Sequence, residues 1–466
     1  MTTRERVYAR LPPPLQHAAV SAYGYSWRRR RRGGCFRAYV AEFAAREWLT
    51  AESWDEWQEI RLRKILGRAL QTPFYSSAWA SLGMDDEAVE RFALRDLARL
   101  PTVSKDDVRK HPQRFCMAGT PPKGALAWPT SGSTGTPLIT YHSSDDLRRG
   151  LALREARYSS FAGVDHSMPR ATFGGRIVEP DPDSRGPFHR YNIAERQLYF
   201  SAYHLSATTL GAYADALRQH QSRWLTGYSS TIYELSRLAL AEGVQLPPVL
   251  AVITTAEPVP DHFRVCISQA FGCRVTQEYG LAEEVCFALE CERGSLHVSP
   301  DAGVVEILDT QGYPCPPGVV GEIVATGLIR EAQPLVRYRT GDLACWATGN
   351  CGCGRSMPVL ARIEGRVDDA VVTSDGRRVS RLTAVARGLS DIRYMQFVQE
   401  RAGRLTVIVV TDQHPLAEAV REEIVRRLVA RLGTGMEIDV MQADEPERTA
   451  RGKIRAVINR AAEEDA

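Results

Sequence analysis

The spacing of apolar residues divides the chain into a helical segment and a mixed segment. Between 44 and 70, the run AAREWLTAESWDEWQEIRLRKILGRAL places apolar residues three to four positions apart, which is typical of an amphipathic helix. Farther along, short strand-like runs such as VLAVITT (249–255) and GEIVATG (321–327) alternate with helical ones. The pattern predicts a helical N-terminal extension over 1–100, packed on a large α/β core domain with β subdomains over 101–365.

The pattern resets after GRVDD (365–369), where we place a domain boundary. The run 395–410 predicts two strands joined by a glycine-containing turn, and MEIDVMQ (436–442) predicts a further strand. Between them we predict a helix that ends at Gly433 and has one apolar face, formed by Leu416, Val420, Ile424 and Leu428. Residues 366–466 are therefore expected to form a small, separate α+β domain.

Composition and charge exclude several classes of protein. A chain of 466 residues should contain two to four domains or subdomains. The net charge of +3 is too small for a nucleic-acid-binding surface, and no run approaches the roughly 18 apolar residues that span a bilayer. The first thirty residues lack the apolar core of a secretion signal, and ten unevenly spaced cysteines do not resemble a secreted disulfide framework. We therefore expect a cytoplasmic protein that neither binds nucleic acid nor spans a membrane, with its oligomeric state left open.

The basic residues are unusual in two respects. The run WRRRRRGG (27–34) predicts a solvated helix end or loop, with an anionic partner or a membrane surface as the alternative. Lysine is rare, because only five of the 59 basic residues are Lys: Lys64, Lys105, Lys110, Lys123 and Lys453. The isolated Lys453 suggests a site that requires a compact point charge, for which Arg is a poor substitute.

The stretch PTSGSTGTP (129–137) has the composition of a phosphate-binding loop. Glycine lets backbone N–H groups approach an anion closely, and Ser and Thr hydroxyls add further donors. The Walker spacing GxxxxGK[ST] is absent, and no Lys follows the loop. Further along, the chain carries in order TTAEPV (254–259), QEYGLAEE (277–284), YRTGDL (338–343), GRVDD (365–369) and RTARGKIRAVI (448–458).

In this order and spacing, these stretches resemble the adenylate-forming superfamily of acyl-CoA synthetases, nonribosomal-peptide adenylation domains and luciferases. The resemblance covers about 100–466. More narrowly, the chain looks like the phenylacetate–CoA ligase-like family. YARLPPPLQHAAVSAYGY (8–25) and CGCGR (351–355) resemble its branch in capsular-polysaccharide and secondary-metabolite clusters. The resemblance implies a magnesium-dependent enzyme that activates a carboxylic acid with ATP, releases pyrophosphate and passes the acyl group to CoA.

Two alternatives remain open at this stage. The acyl group could pass instead to an amine, a hydroxyl or a carrier-protein thiol in natural-product or polysaccharide biosynthesis. The chain could also be a non-catalytic nucleotide-binding scaffold. The substitution of Ala282 for the family's usual Thr slightly favours the scaffold, because a hydroxyl expected near the α-phosphate is missing.

The resemblance also implies a role for individual residues. A mobile loop would surround the β- and γ-phosphates, formed by Thr130, Ser131, Gly132, Ser133, Thr134, Gly135 and Thr136. The AMP moiety would be bracketed by Ala256, Glu257, Pro258, Glu278, Tyr279 and Gly280. Asp342 would accept hydrogen bonds from the ribose hydroxyls, Arg366 would contact ribose or phosphate, and Asp368 matches the hinge of a mobile small domain. Glu283 would bind Mg²⁺. Lys453 would bridge the substrate carboxylate and the α-phosphate.

A second group of residues could bind zinc. Cys351 and Cys353 lie one residue apart, and Cys291 and His297 can complete a tetrahedral site with them. Some relatives in the resembled family carry a structural zinc with similar elements. Cys286 is a reserve ligand, and the alternative interpretation is a set of buried, reduced thiols. The acid substrate is left open, with Arg176, His204 and Tyr228 as candidates for the lining of its pocket.

Overall fold

The computed structural model describes residues 8, 11–129, 138–174, 178–179, 181, 183–367, 369–379, 382–386, 389, 391–411, 415–449 and 452–460. The α-helices are α1 (Pro13–Arg32), α2 (Phe36–Arg46), α3 (Ala51–Leu70), α4 (Pro73–Ala78), α5 (Asp86–Glu90), α6 (Lys105–Lys110), α7 (Ser144–Ala162), α8 (Leu210–Gln219), α9 (Ser229–Ala241), α10 (Asp261–Phe271) and α11 (Glu418–Leu432). Short 3₁₀ turns lie at Ala80–Leu82, Leu94–Arg99, Pro112–Phe115, Met117–Gly119, Ile193–Glu195 and Leu382–Ala386.

The strands are β1 (Leu126–Pro129), β2 (Ile139–His142), β3 (Arg170–Phe173), β4 (His189–Asn192), β5 (Gln197–Phe200), β6 (Trp224–Gly227), β7 (Ala251–Thr254), β8 (Arg274–Gly280), β9 (Phe287–Glu290), β10 (Leu296–Val298), β11 (Gly303–Leu308), β12 (Gly321–Gly327), β13 (Tyr338–Trp346), β14 (Val359–Arg366), β15 (Val371–Val372), β16 (Arg378–Val379), β17 (Ile392–Arg401), β18 (Arg404–Thr411), β19 (Glu437–Gln442) and β20 (Val457–Asn459). Most belong to one long sheet with the order β11-β12-β13-β14-β10-β9-β8-β7-β6-β3-β5-β4.

The long sheet has a parallel half and an antiparallel half that meet at β8. Strands β5, β3, β6, β7 and β8 pair in parallel, and their helices cover the sheet as in an α/β domain. Beyond residue 277, β8 pairs antiparallel with β9, which starts the second half. Tyr279 therefore lies where the two halves join.

Helix α3 packs against the antiparallel half of the sheet. Thr50 caps α3, its hydroxyl accepting from the Ser53 amide at 3.2 Å. The helix buries Leu62, Ile65, Leu66 and Ala69, whose spacing places them on one face. That face shares a core cluster with Val336 and Tyr338 of the core.

The five-arginine run ends α1, and the expectation that it is solvated was wrong for Arg31 and Arg32. Each of these guanidinium groups lies 2.7 Å from the carboxylate of Glu195, whose side chain is only 1% exposed. Arg170 adds a third contact to the same carboxylate at 3.3 Å. The sequence could not reveal this contact, because the run and Glu195 are far apart along the chain.

Residues from 369 onward form what we call the C-terminal unit. Its sheet has the order β19-β18-β17-β20, and α11 covers it with Ile424, Leu428 and Leu432 buried. The two strands, the helix and the further strand predicted here are present, but the helix begins at Glu418, so the prediction that Leu416 belongs to its apolar face was wrong. Strand β20 was not predicted. The mixed α/β fold class with a C-terminal sheet is confirmed. Within the described part of the chain, no helix combines the length and apolar character needed to cross a membrane.

Candidate active site

The parallel strands all end at one edge of the sheet, and the predicted nucleotide-binding segments begin there. Strand β6 ends at Gly227, β7 at Thr254 and β8 at Gly280. TTAEPV (254–259) follows β7, and QEYGLAEE (277–284) spans the end of β8. Ligands of open α/β sheets bind at the carboxyl ends of the strands, so this edge is the candidate site.

Asp342 lies between Tyr279 and Arg366. The Tyr279 hydroxyl donates to Oδ2 of Asp342 at 2.8 Å, and the Arg366 Nε is 3.6 Å from Oδ1. This arrangement follows from strand register, because Asp342 is the direct partner of Arg366 across β13 and β14. Burial raises the pKa of Asp342, while Arg366, Lys105 and the Tyr279 hydrogen bond oppose the rise.

Glu283 lies in the same group. Its side chain accepts a hydrogen bond from the Tyr338 hydroxyl at 2.9 Å, and its residue is only 3% exposed. Arg330 donates to the backbone carbonyl of Glu283 at 2.6 Å, which fixes the turn. Burial, together with the Glu283 carboxylate, raises the pKa of Tyr338 far beyond its ordinary value, so this phenol is a permanent donor. A carboxylate held this way is a suitable hard ligand for Mg²⁺.

Lys105 is a site residue that the sequence analysis did not assign. Its ammonium donates to the Thr340 carbonyl at 2.9 Å, next to the Asp342 bend. A Cβ at Gly341, whose φ is +74°, would lie 3.3 Å from the Arg366 guanidinium and 4.0 Å from Nζ of Lys105. Glycine thus lets both cations approach this bend. The rarity of Lys was the available signal, but it was applied to Lys453 alone.

The segment Ala256–Pro258 contributes backbone rather than a free carboxylate. Ala256 has a φ of +67°, a conformation that turns the chain sharply at the end of β7. Glu257 is 7% exposed, and its carboxylate accepts from the Ser230 amide at 3.0 Å and from the Ile454 amide at 2.9 Å. The Glu257 side chain therefore faces the C-terminal unit.

Glu278 does not join Tyr279 and Asp342. Successive side chains of a strand point to opposite faces, so Glu278 and Tyr279 diverge. The Glu278 carboxylate accepts from the Tyr158 hydroxyl and lies 3.6 Å from Arg154, both on α7. The nucleotide contact implied for Glu278 by the resemblance would thus come from its backbone. Gly280 follows Tyr279 at the end of β8, and a Cβ added to it would lie 3.3 Å from the Arg154 guanidinium.

The described residues around Lys453, 448–449 and 452–454, bond to one another, and we call them the Lys453 loop. The amide of Thr449 donates to the Lys453 carbonyl at 2.9 Å, and the Lys453 amide donates to the Thr449 hydroxyl at 3.1 Å. Gly452, with a φ of +80°, packs on Tyr203 of the core, whose ring would be 3.5 Å from an added Cβ. Burial raises the pKa of Asp369, whereas Arg455, Arg366 and Lys453 act in the opposite direction, so Asp369 lies within the field of the site cations.

Some predicted residues lie outside the described part of the chain. These are the phosphate-loop residues Thr130, Ser131, Gly132, Ser133, Thr134, Gly135 and Thr136, the hinge residue Asp368 and the candidate Arg176. On either side of the loop, Pro129 and Ile139 pair as the ends of β1 and β2.

The other two candidates for the acid pocket lie near the carboxyl edge. Tyr228 follows β6, and its ring occupies the space over Gly174, where an added Cβ would be only 2.3 Å away. His204 contacts the Ser201 hydroxyl at 2.8 Å through Nδ1, and the Asp181 carbonyl at 2.6 Å through Nε2. Both ring nitrogens of His204 therefore have protein partners, and its place in the acid pocket stays a prediction.

The four predicted zinc ligands come together. The ligand atoms of Cys291, His297, Cys351 and Cys353 all lie within 4.8 Å of one another. Sγ of Cys291 is 3.6 Å from Sγ of Cys351, and Sγ of Cys353 is 3.4 Å from Nε2 of His297. Zinc bonds of about 2.3 Å to sulfur and 2.0–2.1 Å to nitrogen, at tetrahedral angles, imply separations of roughly 3.5–3.8 Å. The donor set therefore fits zinc.

Local structure prepares these ligands for a metal. Cys291 directly follows β9 and His297 lies in β10, and a tight turn joins the two strands, while Cys351 and Cys353 lie between β13 and β14. Nδ1 of His297 is 3.1 Å from the Met357 carbonyl, which leaves Nε2 as the coordinating atom. Burial alone would raise the pKa of Cys351, but hydrogen bonds from Ser295 and His297 lower it to about 6, which favours a thiolate.

Cys286 is separate from this cluster. It lies in the core cluster against which Tyr279 packs, and the pKa of its thiol is influenced by Tyr279 and Asp342 rather than by the other cysteines. Burial raises its pKa far above the ordinary value for a thiol. Cys286 therefore belongs to the packing around the nucleotide residues, and the role of reserve ligand is not supported by its position.

The chain is similar in sequence to several known proteins. A family model described as the CapK C-terminal domain matches residues 371–460. Protein CapK of Staphylococcus aureus is 27% identical over 79% of this chain and 82% of its own length. A phenylacetate–coenzyme A ligase of Thermus thermophilus is 27% identical over 89% of this chain and 98% of its own length.

A solved structure supports the fold independently. The crystal structure of 2-hydroxyisobutyryl-CoA ligase, in its postadenylation state with an acyl-AMP, matches with a TM-score of 0.67. The two sequences are 22% identical, and the match covers 89% of this chain and 91% of that one. The chain is thus similar in sequence to protein CapK and to phenylacetate–coenzyme A ligases, and it shares the fold of 2-hydroxyisobutyryl-CoA ligase.

Proposed function

We propose that this protein activates a carboxylic acid with ATP, forming an acyl-adenylate and pyrophosphate, and then transfers the acyl group to CoA. One observation carries the proposal. At the carboxyl edge of the sheet, Asp342 is held by Tyr279 and Arg366, with the buried Glu283 beside them. An acceptor for ribose hydroxyls, an aromatic face and a metal-binding carboxylate are the parts that an ATP site needs.

Each residue then has a defined task. Asp342, ionised, accepts from the ribose hydroxyls while Tyr279 fixes its orientation and presents a ring face to the adenine. Arg366 and Lys105 supply positive charge around the ribose and phosphates. Glu283 would hold Mg²⁺, which when bound neutralises phosphate charge and polarises the phosphoryl group. No covalent work is required of the protein, because positioning and electrostatic stabilisation carry this chemistry.

Lys453 acts in the first half-reaction. The substrate carboxylate attacks the α-phosphorus, so two anions must approach each other closely. An ammonium that contacts both groups stabilises the charge that develops on the transferring phosphoryl group. The Lys453 loop already contacts the core through Gly452 and Tyr203, as this task requires. The C-terminal unit would then rotate about Asp368 and present another face to the acceptor.

The choice of CoA rests on the relatives. The Thermus homologue is named a phenylacetate–coenzyme A ligase, and the solved structural relative is named a 2-hydroxyisobutyryl-CoA ligase. An amine, a hydroxyl or a carrier-protein thiol remains the alternative acceptor. Acceptors offered to the enzyme after the adenylate has formed would separate these possibilities.

We also propose a structural zinc at Cys291, His297, Cys351 and Cys353, and a cytoplasmic location. The ligand separations and the His297–Met357 contact support the metal. None of the ten cysteines forms a disulfide, as expected in a reducing compartment.

The experiment that tests the function is acid-dependent ATP–pyrophosphate exchange. A panel of acids should include phenylacetate and 2-hydroxyisobutyrate. With the acid that supports exchange, Lys453→Ala should reduce the rate by about 10²–10³-fold, the size of effect seen when one transition-state donor is removed. Lys110→Ala, which removes an exposed Lys of α6, is the control. Undiminished exchange by Lys453→Ala would overturn the assignment.

A further inference from the structure

The carboxylate of Glu257 joins the core to the Lys453 loop. Its Oε2 accepts from the Ser230 amide at 3.0 Å, in the first turn of α9, and its Oε1 accepts from the Ile454 amide at 2.9 Å. The residue is 7% exposed, so water competes little for either bond. One side chain thus contacts both the core and the C-terminal unit.

The contact is made next to Lys453. Ile454 follows Lys453 directly, and its side chain packs against an apolar cluster of the core that includes Phe263. The loop before it is closed, because Arg448 and Ile454 form a β-bridge and Thr449 bonds to Lys453 in both directions. Holding the Ile454 amide therefore holds the backbone from which the Lys453 side chain extends.

A second carboxylate fixes the orientation of the same unit. Glu234, which like Ser230 lies on α9, is 6% exposed and accepts a hydrogen bond from the Tyr394 hydroxyl at 3.0 Å. Arg393 lies 3.5 Å from the same oxygen. Since Glu257 and Glu234 are separate attachment points, together they prevent the C-terminal unit from pivoting about either one.

We propose that Glu257 is a positioning residue for the first half-reaction: its carboxylate holds the Lys453 loop in the orientation that delivers the ammonium to the reacting groups. The inference rests on the proposed function. It gives Glu257 a task other than nucleotide binding, since its side chain is directed to Ser230 and Ile454. Rotation of the C-terminal unit breaks the bond to Ile454 and leaves the bond to Ser230. The Glu257 carboxylate therefore stays in place to bind the Ile454 amide again when the unit rotates back.

The chemistry of the contact makes a conservative variant informative. An ionised carboxylate is an acceptor only, and it serves two N–H donors here. Glu257→Gln keeps the shape but replaces one acceptor with an NH₂ group that faces a backbone N–H. One of the two hydrogen bonds to a charged group is lost, which corresponds to a roughly tenfold or greater decrease in the equilibrium ratio of positioned to released loop.

The test is a double-mutant cycle in the full-length chain. Acid-dependent ATP–pyrophosphate exchange is measured for the wild type, Glu257→Gln, Lys453→Ala and the double variant. Glu257→Gln alone should slow exchange by roughly tenfold or more. In the Lys453→Ala background the same change should have almost no effect, because a residue that acts through Lys453 has nothing left to position. Glu242→Gln, an exposed carboxylate at the end of α9, is the matched control.

Hydrogen–deuterium exchange gives a second readout that does not depend on activity. Glu257→Gln should speed exchange in the peptide that contains Ile454, while peptides from β3 and β7 remain as protected as in the wild type. The inference would be overturned if Glu257→Gln slowed ATP–pyrophosphate exchange equally in the wild-type and Lys453→Ala backgrounds. It would also be overturned if hydrogen–deuterium exchange in the Ile454 peptide were unchanged. If Lys453→Ala had no effect on pyrophosphate exchange, the proposed function would fail instead, and the two failures are therefore distinguishable.

Discussion

Replacing Tyr279 with phenylalanine should change how nucleotide binding depends on pH. The Tyr279 hydroxyl donates to Asp342 at 2.8 Å, and both residues are partly buried at the site. The variant keeps the aromatic ring, so any stacking on adenine is retained. What it loses is one hydrogen bond to the ionised form of Asp342.

The size of the effect follows from that bond. A hydrogen bond to a charged group contributes about 1.5 kcal/mol or more, and one pKa unit corresponds to about 1.4 kcal/mol. Removing the bond should therefore raise the pKa of Asp342 by about one unit above its already elevated value. Ribose hydroxyls need an ionised acceptor, so affinity is present above this pKa and lost as pH falls through it.

The assay is AMP binding by calorimetry between pH 5 and 8. The acid-side loss of affinity should begin about one pH unit higher in Tyr279→Phe than in the wild type. Tyr313→Phe, at a tyrosine that is 69% exposed, is the control and should leave the profile unchanged. A uniform loss of affinity at every pH, with no shift of the acid limb, would refute the role of the hydroxyl in controlling Asp342.

Two further predictions concern regions outside the nucleotide residues. Cys351→Ser should reduce bound zinc from one ion per chain to a small fraction of that, and it should lower Tm. Bound zinc is measured by elemental analysis after dialysis, and a full complement of zinc in the variant would refute the ligand set. Glu195→Gln should destabilise the protein by about 2–4 kcal/mol in urea unfolding, because Arg31, Arg32 and Arg170 lose a buried counter-charge. Burial alone would raise the pKa of Glu195, but Arg31, Arg32 and Arg170 lower it, so its stabilisation is present above the ordinary Glu pKa and lost in acid. The variant should lack that pH dependence, and an equal acid loss in both proteins would contradict the reasoning.

Local patterns were sufficient for most elements of the fold. The three-to-four spacing of Leu62, Ile65 and Leu66 predicts α3, and the alternation of 395–410 predicts the hairpin of β17 and β18. β20 was not predicted, because its three residues become a strand only through parallel pairing with β17. Pairing partners of this kind lie in another part of the chain and leave no local signal.

The candidate site was predictable where a motif carries its own geometry. Asp342 and Arg366 were assigned from short stretches, and strand register now places them opposite each other. Lys105 was missed because its contact with Thr340 joins α6 to β13, far apart in sequence. The opposite orientation of Glu278 and Tyr279 could have been foreseen, since adjacent residues in a strand face opposite sides.

Two of the proposed zinc ligands and two of the proposed nucleotide-binding residues belong to one hairpin. Strands β13 and β14 pair from Asp342 and Arg366 at one end to Trp346 and Leu360 at the other, and Cys351 and Cys353 lie in the connection beyond that far end. Closing a long connection costs chain entropy, and the proposed metal cross-link to Cys291 and His297 would reduce that cost before any nucleotide binds. The supply of zinc in the cell would then help to set how much of the population is ready to bind nucleotide, at a point remote from the nucleotide itself.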